Sequence, residues 1–296
     1  MDMRIGSKRF DSLKYFIGMM LPTLILYSLY LYIIGKTVSL SFFNWDGFSE
    51  KTFAGFENFI RLFMDERFVI SLRNIGILIA ATVIFQVGLG IVLAFLLTDM
   101  RIGFEKFFKS VIFMPVVISN VAVSLYFLTM YDYQNGFINY LLTTLGLEKV
   151  NFLGSGLNTI YYAIIPQTWQ YIGMMFIVAY TAFTTVDKDF IDASKIDGLN
   201  MFQRLVHMYV PISWDSVSVC FIIAMVGPLK AFEHIWILTT GGGSDQMTHI
   251  PGTLMFYIGF SNYEYGYGSS VAVVIFALAM FLVLGFRKLT AKNSYN

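Results

Sequence analysis

The chain has 296 residues, 57% of them hydrophobic and 13% charged, with a mean hydropathy of +0.67. A soluble domain carries about 25% charged residues, so this composition excludes an ordinary soluble enzyme and points to a membrane. A net charge of +1 leaves no footprint for nucleic acid, and a lone cysteine, Cys220, excludes an intrachain disulfide framework and reads as a packing residue.

In chain order, six stretches are apolar over the roughly 20 residues that a bilayer core demands: 13–35, 75–98, 110–131, 159–183, 212–238 and 269–288. The basic N-terminus runs into the first of these with no small-residue cleavage site behind it, so it reads as a retained span. Residues 1–74 then form a first span and loop, 75–289 a core of five spans, and 290–296 a tail. Pro22, Pro115, Pro166 and Pro228 fall inside spans, where neighbouring helices can satisfy the freed carbonyls.

Lysine and arginine set the orientation, because loops rich in them stay in the cytoplasm. With the N-terminus inside, the inner segments hold Arg4, Lys8, Arg9, Lys14, Arg101, Lys106, Lys109, Lys188, Lys195, Arg204, Arg287, Lys288 and Lys292. The outer segments hold Lys36, Lys51, Arg61, Arg67, Arg73 and Lys149. Both termini are therefore expected in the cytoplasm, in a multi-pass protein. The 36–74 loop strains the rule with five bases outside, offset in charge by Asp46, Glu50, Glu57, Asp65 and Glu66. No separate folded domain is expected in so short a loop.

Residues 187–211 are the longest polar interruption that keeps a helical pattern. Asp187, Asp189, Asp192, Lys195 and Asp197 crowd the first half, Gly198 breaks it, and Asn200 with Gln203 forms a cap that restarts a helix. Phe202, Leu205, Val206 and Tyr209 fall on one face of that second helix, which Pro211 ends. Four aspartates against three bases leave one net negative charge. A lipid-binding segment would be basic, so the apolar stripe is expected to dock on a protein; an interfacial loop without a partner is the plain alternative.

Asp192-Ala193-Ser194, Asp197-Gly198 and Pro211 resemble the E-A-A-x-x-x-G motif of the membrane subunits of binding-protein-dependent ABC importers, with Asp192 where Glu is usual and Ser194 where Ala is usual. The segment Phe53-Ala54-Gly55-Phe56-Glu57-Asn58-Phe59, Phe113-Met114-Pro115, Gly136, Asn139 and Gly146, Leu238-Thr239-Thr240-Gly241-Gly242 and Gly266-Tyr267-Gly268 are similar to the sugar-type, MalF/UgpA-like branch. Gly243 stands where that branch has Pro, and Tyr126 or Phe127 where it often has Trp. The resemblance implies an all-α type I importer (MetI-like) permease fold with six transmembrane helices in a prokaryotic cell membrane. It implies no catalysis and no cofactor in this chain, with ATP and Mg bound by a partner ATPase. The implied partners are a second permease, two ATP-binding subunits and an extracellular solute-binding protein that delivers a sugar or oligosaccharide. Asp192, Ala193, Ser194, Asp197, Gly198, Phe202 and Leu205 would then contact the ATPase and act as a lever.

Other motifs carry less. Ile34-Gly35-Lys36-Thr37 imitates a phosphate-binding loop, but Tyr30 stands where its first glycine belongs. Gly241, Gly242 and Gly243 follow a span and are expected to form a flexible external turn. His207, His234 and His249 have no metal-ligand spacing. Lys230, Glu233 and His234 read either as a solvated pair at a helix end or as part of a substrate entry. The spans are almost free of charge, so energy for uphill transport must come from a partner. Gln86, Asn120, Gln167, Trp169 and Gln170 are the midplane polar candidates for a substrate path: amides suit hydroxyls, and an indole face suits the C–H face of a sugar. Interhelical hydrogen bonding competes for each. An importer of another solute such as glycerol phosphate stays open, though it lacks a midplane cation, and so does a stand-alone secondary carrier.

Overall fold

Apolar length dictates helices where backbone groups cannot reach water, and helices make up most of the described residues. The computed structural model describes residues 3–100, 103–154, 158–243 and 245–291. Arg101, Lys292 and the expected tail from 292 lie outside the described residues, as do the side chains of Arg4, Lys8, Arg9 and Lys14.

Helix α1 (Met3–Leu40) leads into a two-residue antiparallel pairing, β1 (Phe43–Asn44) with β2 (Thr52–Phe53), and a short helix α2 (Glu57–Met64). Helix α3 (Glu66–Asp99) spans 34 residues and is followed by α4 (Glu105–Val117), α5 (Asn120–Met130), α6 (Phe137–Thr144) and α7 (Thr159–Phe183). Next come α8 (Lys188–Ile196), α9 (Met201–Ile212), α10 (Trp214–Lys230), α11 (Phe232–Leu238), α12 (Pro251–Phe256) and α13 (Tyr265–Ala291). The hairpin is a small departure from the all-α expectation. Asp46 makes it possible by accepting from the backbone N–H of Phe48 and Ser49 at 2.9 and 2.8 Å.

Each of the six expected stretches is helical, but not each is a straight span. By length and hydropathy, three helices among the described residues qualify as membrane-crossing, Phe16–Leu40, Glu66–Asp99 and Tyr265–Thr290, or up to five if two bent pairs each count as one. The first bend, 91°, divides α4 from α5 just after Pro115; the second, 90°, divides α9 from α10 just after Pro211. The fifth stretch breaks again at Ala231, where a 3-10 turn over Gly227–Lys230 ends. The fourth stretch matches α7 end to end, yet Gln167, Gln170, Pro166 and its tyrosines hold its hydropathy down. It can be less apolar because it runs through the middle of the bundle, with 13 of its residues buried.

Close helix approach holds that centre together. A Cβ on Gly90 of α3 would stand 2.6 Å from the Met175 Cβ, and one on Gly173 would stand 2.9 Å from the Phe113 Cα. Glycine at both points lets α3 and α4 lie against α7 backbone to backbone. Around these contacts Ile91, Phe95, Phe176, Phe183, Leu205, Tyr209 and Cys220 form one core cluster, and Cys220 packs there as expected. A second cluster gathers Leu78, Tyr131, Ile160 and Ile235. The third, with Leu62, Phe68, Leu254 and Val271, ties α2 to the start of α13. The 36–74 loop is therefore packed onto the bundle and does not form a unit of its own.

Candidate functional site

The 187–211 segment folds from its local chemistry. Asp187 caps α8 by accepting from the Asp189 N–H at 3.1 Å. At the other end the Gly198 N–H donates to the Lys195 carbonyl and the Leu199 N–H to the Ser194 carbonyl, both at 3.1 Å. This pairing needs a left-handed residue, and Gly198 supplies it at φ +78°. Asn200 and Gln203 then form the expected reciprocal cap, each side chain bonding the other's N–H at 2.9 Å.

The expected apolar stripe is only half realised. Leu205 and Tyr209 are buried, but Phe202 is 71% exposed and Val206 is exposed as well. Arg204, Leu205, Met208 and Tyr209 face inward instead, and Leu205–Tyr209 form a π turn. Pro211 suits that turn. It has no N–H for an ordinary bond four residues back, and the wider turn accommodates it. Pro211 also does not end the helix, which runs on to Ile212 before the 90° bend.

Of the expected contact residues, Asp192, Ala193, Asp197, Gly198 and Phe202 are exposed together, while Ser194 and Leu205 are buried. The Ser194 hydroxyl donates to the Ile191 carbonyl at 2.7 Å. Phe190, Ile196 and Met201 add exposed apolar surface on the same segment. One anchor escaped the sequence reading. Arg204 donates through Nε and Nη2 to the two carboxylate oxygens of Asp99 at 3.2 and 2.6 Å, and through Nη1 to the Leu199 carbonyl at 2.8 Å. Both side chains are buried. The partners stand 105 positions apart, so no local spacing signals the pair.

The midplane candidates separate into two groups. Gln86, Gln167 and Gln170 are buried. Gln86 lies in a π turn, Thr82–Val87, and donates to the Gln167 carbonyl at 3.0 Å, while Thr82 donates to the Ala224 carbonyl at 2.8 Å. Gln170 donates to the Ile118 carbonyl at 2.7 Å and to Asn120 Oδ1 at 3.0 Å, so it caps the bend between α4 and α5. The Gln86 and Gln170 side chains hold helices together, while Gln167 contributes its backbone carbonyl and its buried Oε1 meets no hydrogen-bond donor among the described residues. Asn120, which also accepts from the Tyr171 hydroxyl at 2.8 Å, is half-exposed, and Trp169 is 44% exposed beside Phe127.

Lys230 is exposed and Glu233 half-exposed, as a pair at a helix end would be, while His234 is buried with Nδ1 2.9 Å from the Ser124 hydroxyl. The glycine turn is tied down by specific contacts. Gly241, Gly242 and Gly243 all have positive φ, the Gly242 N–H donates to the Thr239 hydroxyl at 3.0 Å, and the His249 ring fills the space beside Gly242. His249 Nε2 lies 2.7 Å from Gln246 Oε1 and Nδ1 3.1 Å from the Thr253 hydroxyl. Burial, then the Arg67 charge, pushes the imidazole down to about 4. Asn74 donates to the Met247 and His249 carbonyls at 2.9 Å each and locks this turn to α3.

Nearby, an open cleft of about 540 Å³ is lined by Asn44, Trp45, Asp46, Arg61, Tyr263 and Glu264 among others. Two of its rings carry a cation: Lys51 stands 4.3 Å over Trp45 and Arg61 4.1 Å over Tyr267. Burial alone would raise the Asp65 carboxyl, but hydrogen bonds from Arg67 and Tyr267 outweigh it and hold that group low. Among the described residues no three His, Cys, Asp or Glu side chains converge to hold a metal.

This geometry has counterparts. Residues 86–292 match the family model described as the binding-protein-dependent transport system inner membrane component. The chain is 30% identical to the probable ABC transporter permease protein YurN of Bacillus subtilis, over 90% of this chain and 92% of that one. It is 27% identical to the diacetylchitobiose uptake system permease protein NgcF of Streptomyces coelicolor, over 93% and 83%. Its fold is similar, at TM-score 0.82 and 21% identity over 98% of each chain, to a chain of a bacterial alginate ABC transporter crystallised with an alginate pentasaccharide-bound periplasmic protein. A polar segment pinned under a bundle of bent helices, matched across 207 consecutive positions, places this chain in the family of binding-protein-dependent transport system inner membrane components, as an ABC transporter permease.

Proposed function

We propose that this chain is one of two permease subunits through which an ATP-driven importer moves a sugar or oligosaccharide into the cell. It crosses the membrane six times with both termini in the cytoplasm. The 187–211 segment sits in a cleft of one of two ATP-binding subunits, and an extracellular solute-binding protein delivers the solute at the hairpin end. One observation carries the reading. Phe190, Ile196, Met201 and Phe202 are exposed on a segment whose inward face is anchored by a buried ion pair. Exposed apolar side chains on a rigid, slightly acidic mount favour a protein partner over a lipid surface.

Two of the similar proteins are described by a saccharide, diacetylchitobiose and alginate, which supports the solute class. Within this chain, Trp169, Asn120 and Tyr171 are the accessible polar and aromatic groups at mid-bundle, and they suit an uncharged polyol. A second permease has a natural contact in α1, where no residue of the 18-residue apolar window is buried against this chain.

Push on α8 would reach α3 and α7 through the packed Phe95, Phe183 and Tyr209 rings, converting an inward-open cavity to an outward-open one. Co-purification of the permeases with their ATPases, followed by crosslinking from cysteine at Ile196, tests the docking. A crosslink to the ATP-binding subunit is expected; one found only to lipid or to the outer binding protein overturns the reading. For the solute, a panel of disaccharides is screened on the cognate binding protein. Trp169→Ala should then raise the concentration of binding protein and retained saccharide needed to stimulate ATP hydrolysis, and an unchanged dependence removes Trp169 from the path.

A further inference from the structure

We propose that Asp99 and Arg204 are positioning residues for coupling: their ion pair makes the 187–211 segment and helix α3 one rigid piece. The proposal rests on the reading that this segment docks on an ATPase. Asp99 is the last residue of α3, where the helix dipole disfavours an anion. Its charge is thus not there for its own helix. It receives a two-point fork from Arg204, at 2.6 and 3.2 Å, and the Tyr209 hydroxyl at 3.4 Å.

The third arm of the guanidinium goes to the Leu199 carbonyl. Leu199 is also the residue whose N–H closes α8 on the Ser194 carbonyl. A continuous chain of bonds therefore runs from α8, through Leu199 and Arg204, to the end of a 34-residue helix. Gly198 is the bend in the segment, and the guanidinium braces it by holding the Leu199 carbonyl. Without it, displacement of α8 would be absorbed by the bend at Gly198. A planar fork resists rotation in a way that a single ammonium does not.

Tyr209 extends the same connection sideways. Its ring is edge-on to Phe95 of α3 at 5.2 Å and to Phe183 of α7 at 5.3 Å. The outer part of α3 reaches the locked turn at His249 through Asn74. Motion given to Asp99 is therefore delivered at the far end of the bundle.

The test uses the assembled transporter, with its ATPases, in lipid nanodiscs and MgATP as the only added ligand. Spin labels go on Lys188→Cys and Arg73→Cys in a Cys220→Ser background; both labelled positions are exposed. With the pair intact, the 188-to-73 distance is narrow and does not change with MgATP, because both labels ride on one body. In Asp99→Asn it broadens and shifts by about one helical turn, roughly 5 Å.

Asp99→Leu combined with Arg204→Met leaves no buried charge and keeps the volume, so it guards against simple misfolding. It should shift as the single variant does. A distance insensitive to MgATP in both variants overturns the proposal, as does a distance that shifts in the intact protein. Failure of the ATPases to co-purify with the intact protein would instead overturn the docking reading on which this one rests.

Discussion

The two ends of α3 are secured in different ways. At Asp99 the lock is a buried ion pair with one arm on a backbone carbonyl. At Asn74 it is neutral: an amide across two carbonyls, and an imidazole between Gln246 and Thr253. The charged lock is directional and stiff, and it collapses if either partner is lost, since the survivor is left as a buried charge. The neutral lock fails in steps, one bond at a time. On the proposed reading, in which the protein is pushed at one end and opens at the other, each lock has a use.

The largest test of that contrast is at the charged end. Gly198→Pro removes the N–H that closes α8 and forbids φ +78°, while Asp192→Lys reverses charge on the exposed face. Both should leave insertion intact and abolish solute uptake while ATP is still hydrolysed; normal uptake by both would erase the difference between the ends. At the neutral end, Asn74→Leu strands two buried carbonyls. A loss of about 1–3 kcal/mol in thermal or denaturant stability is expected, with uptake per ATP retained.

Acid should act next, at the neutral end. The folded-state pKa of His249 lies below the ordinary imidazole value, so its contribution to stability is full above about pH 6.5 and is lost as pH falls toward 4. Hydrogen exchange in residues 239–253 should rise over that window, and His249→Gln should flatten the dependence. The smallest effect is expected from Arg61→Ala. Its ion pair with Glu264, 2.6 Å long, has both side chains substantially exposed, so its loss should cost below about 1 kcal/mol. A larger cost would mean that the surface around α2 matters to the lock.

Local chemistry made much of this legible. The run 159–183 is α7 residue for residue, and the caps at Asp187, Gly198 and Asn200 follow from near-neighbour bonds alone. Features set by distant partners were not readable. Phe202 and Val206 are off the inward face because Arg204 and Tyr209 are turned toward Asp99, a partner about a hundred positions away. Gln86, Gln167 and Gln170 had the right chemistry for a polyol, but the glycine contacts at 90 and 173 brought their helices too close for them to remain open. The burial of His234 against Ser124, 110 positions away, had no local signal. The pair of Asp99 and Arg204 is invisible to any window shorter than a hundred residues.

Helix α1 has a mechanical consequence of its own. Its apolar portion ahead of Lys36, residues 16–35, has 20 residues, which at about 1.5 Å each make roughly 30 Å. A hydrocarbon layer is about 30 Å deep, so the helix matches an ordinary layer upright and leans in a thinner one. Since the rest of the chain barely grips it, the angle of lean belongs to the surroundings, and thinner lipid should swing this arm while leaving the core beside it undisturbed.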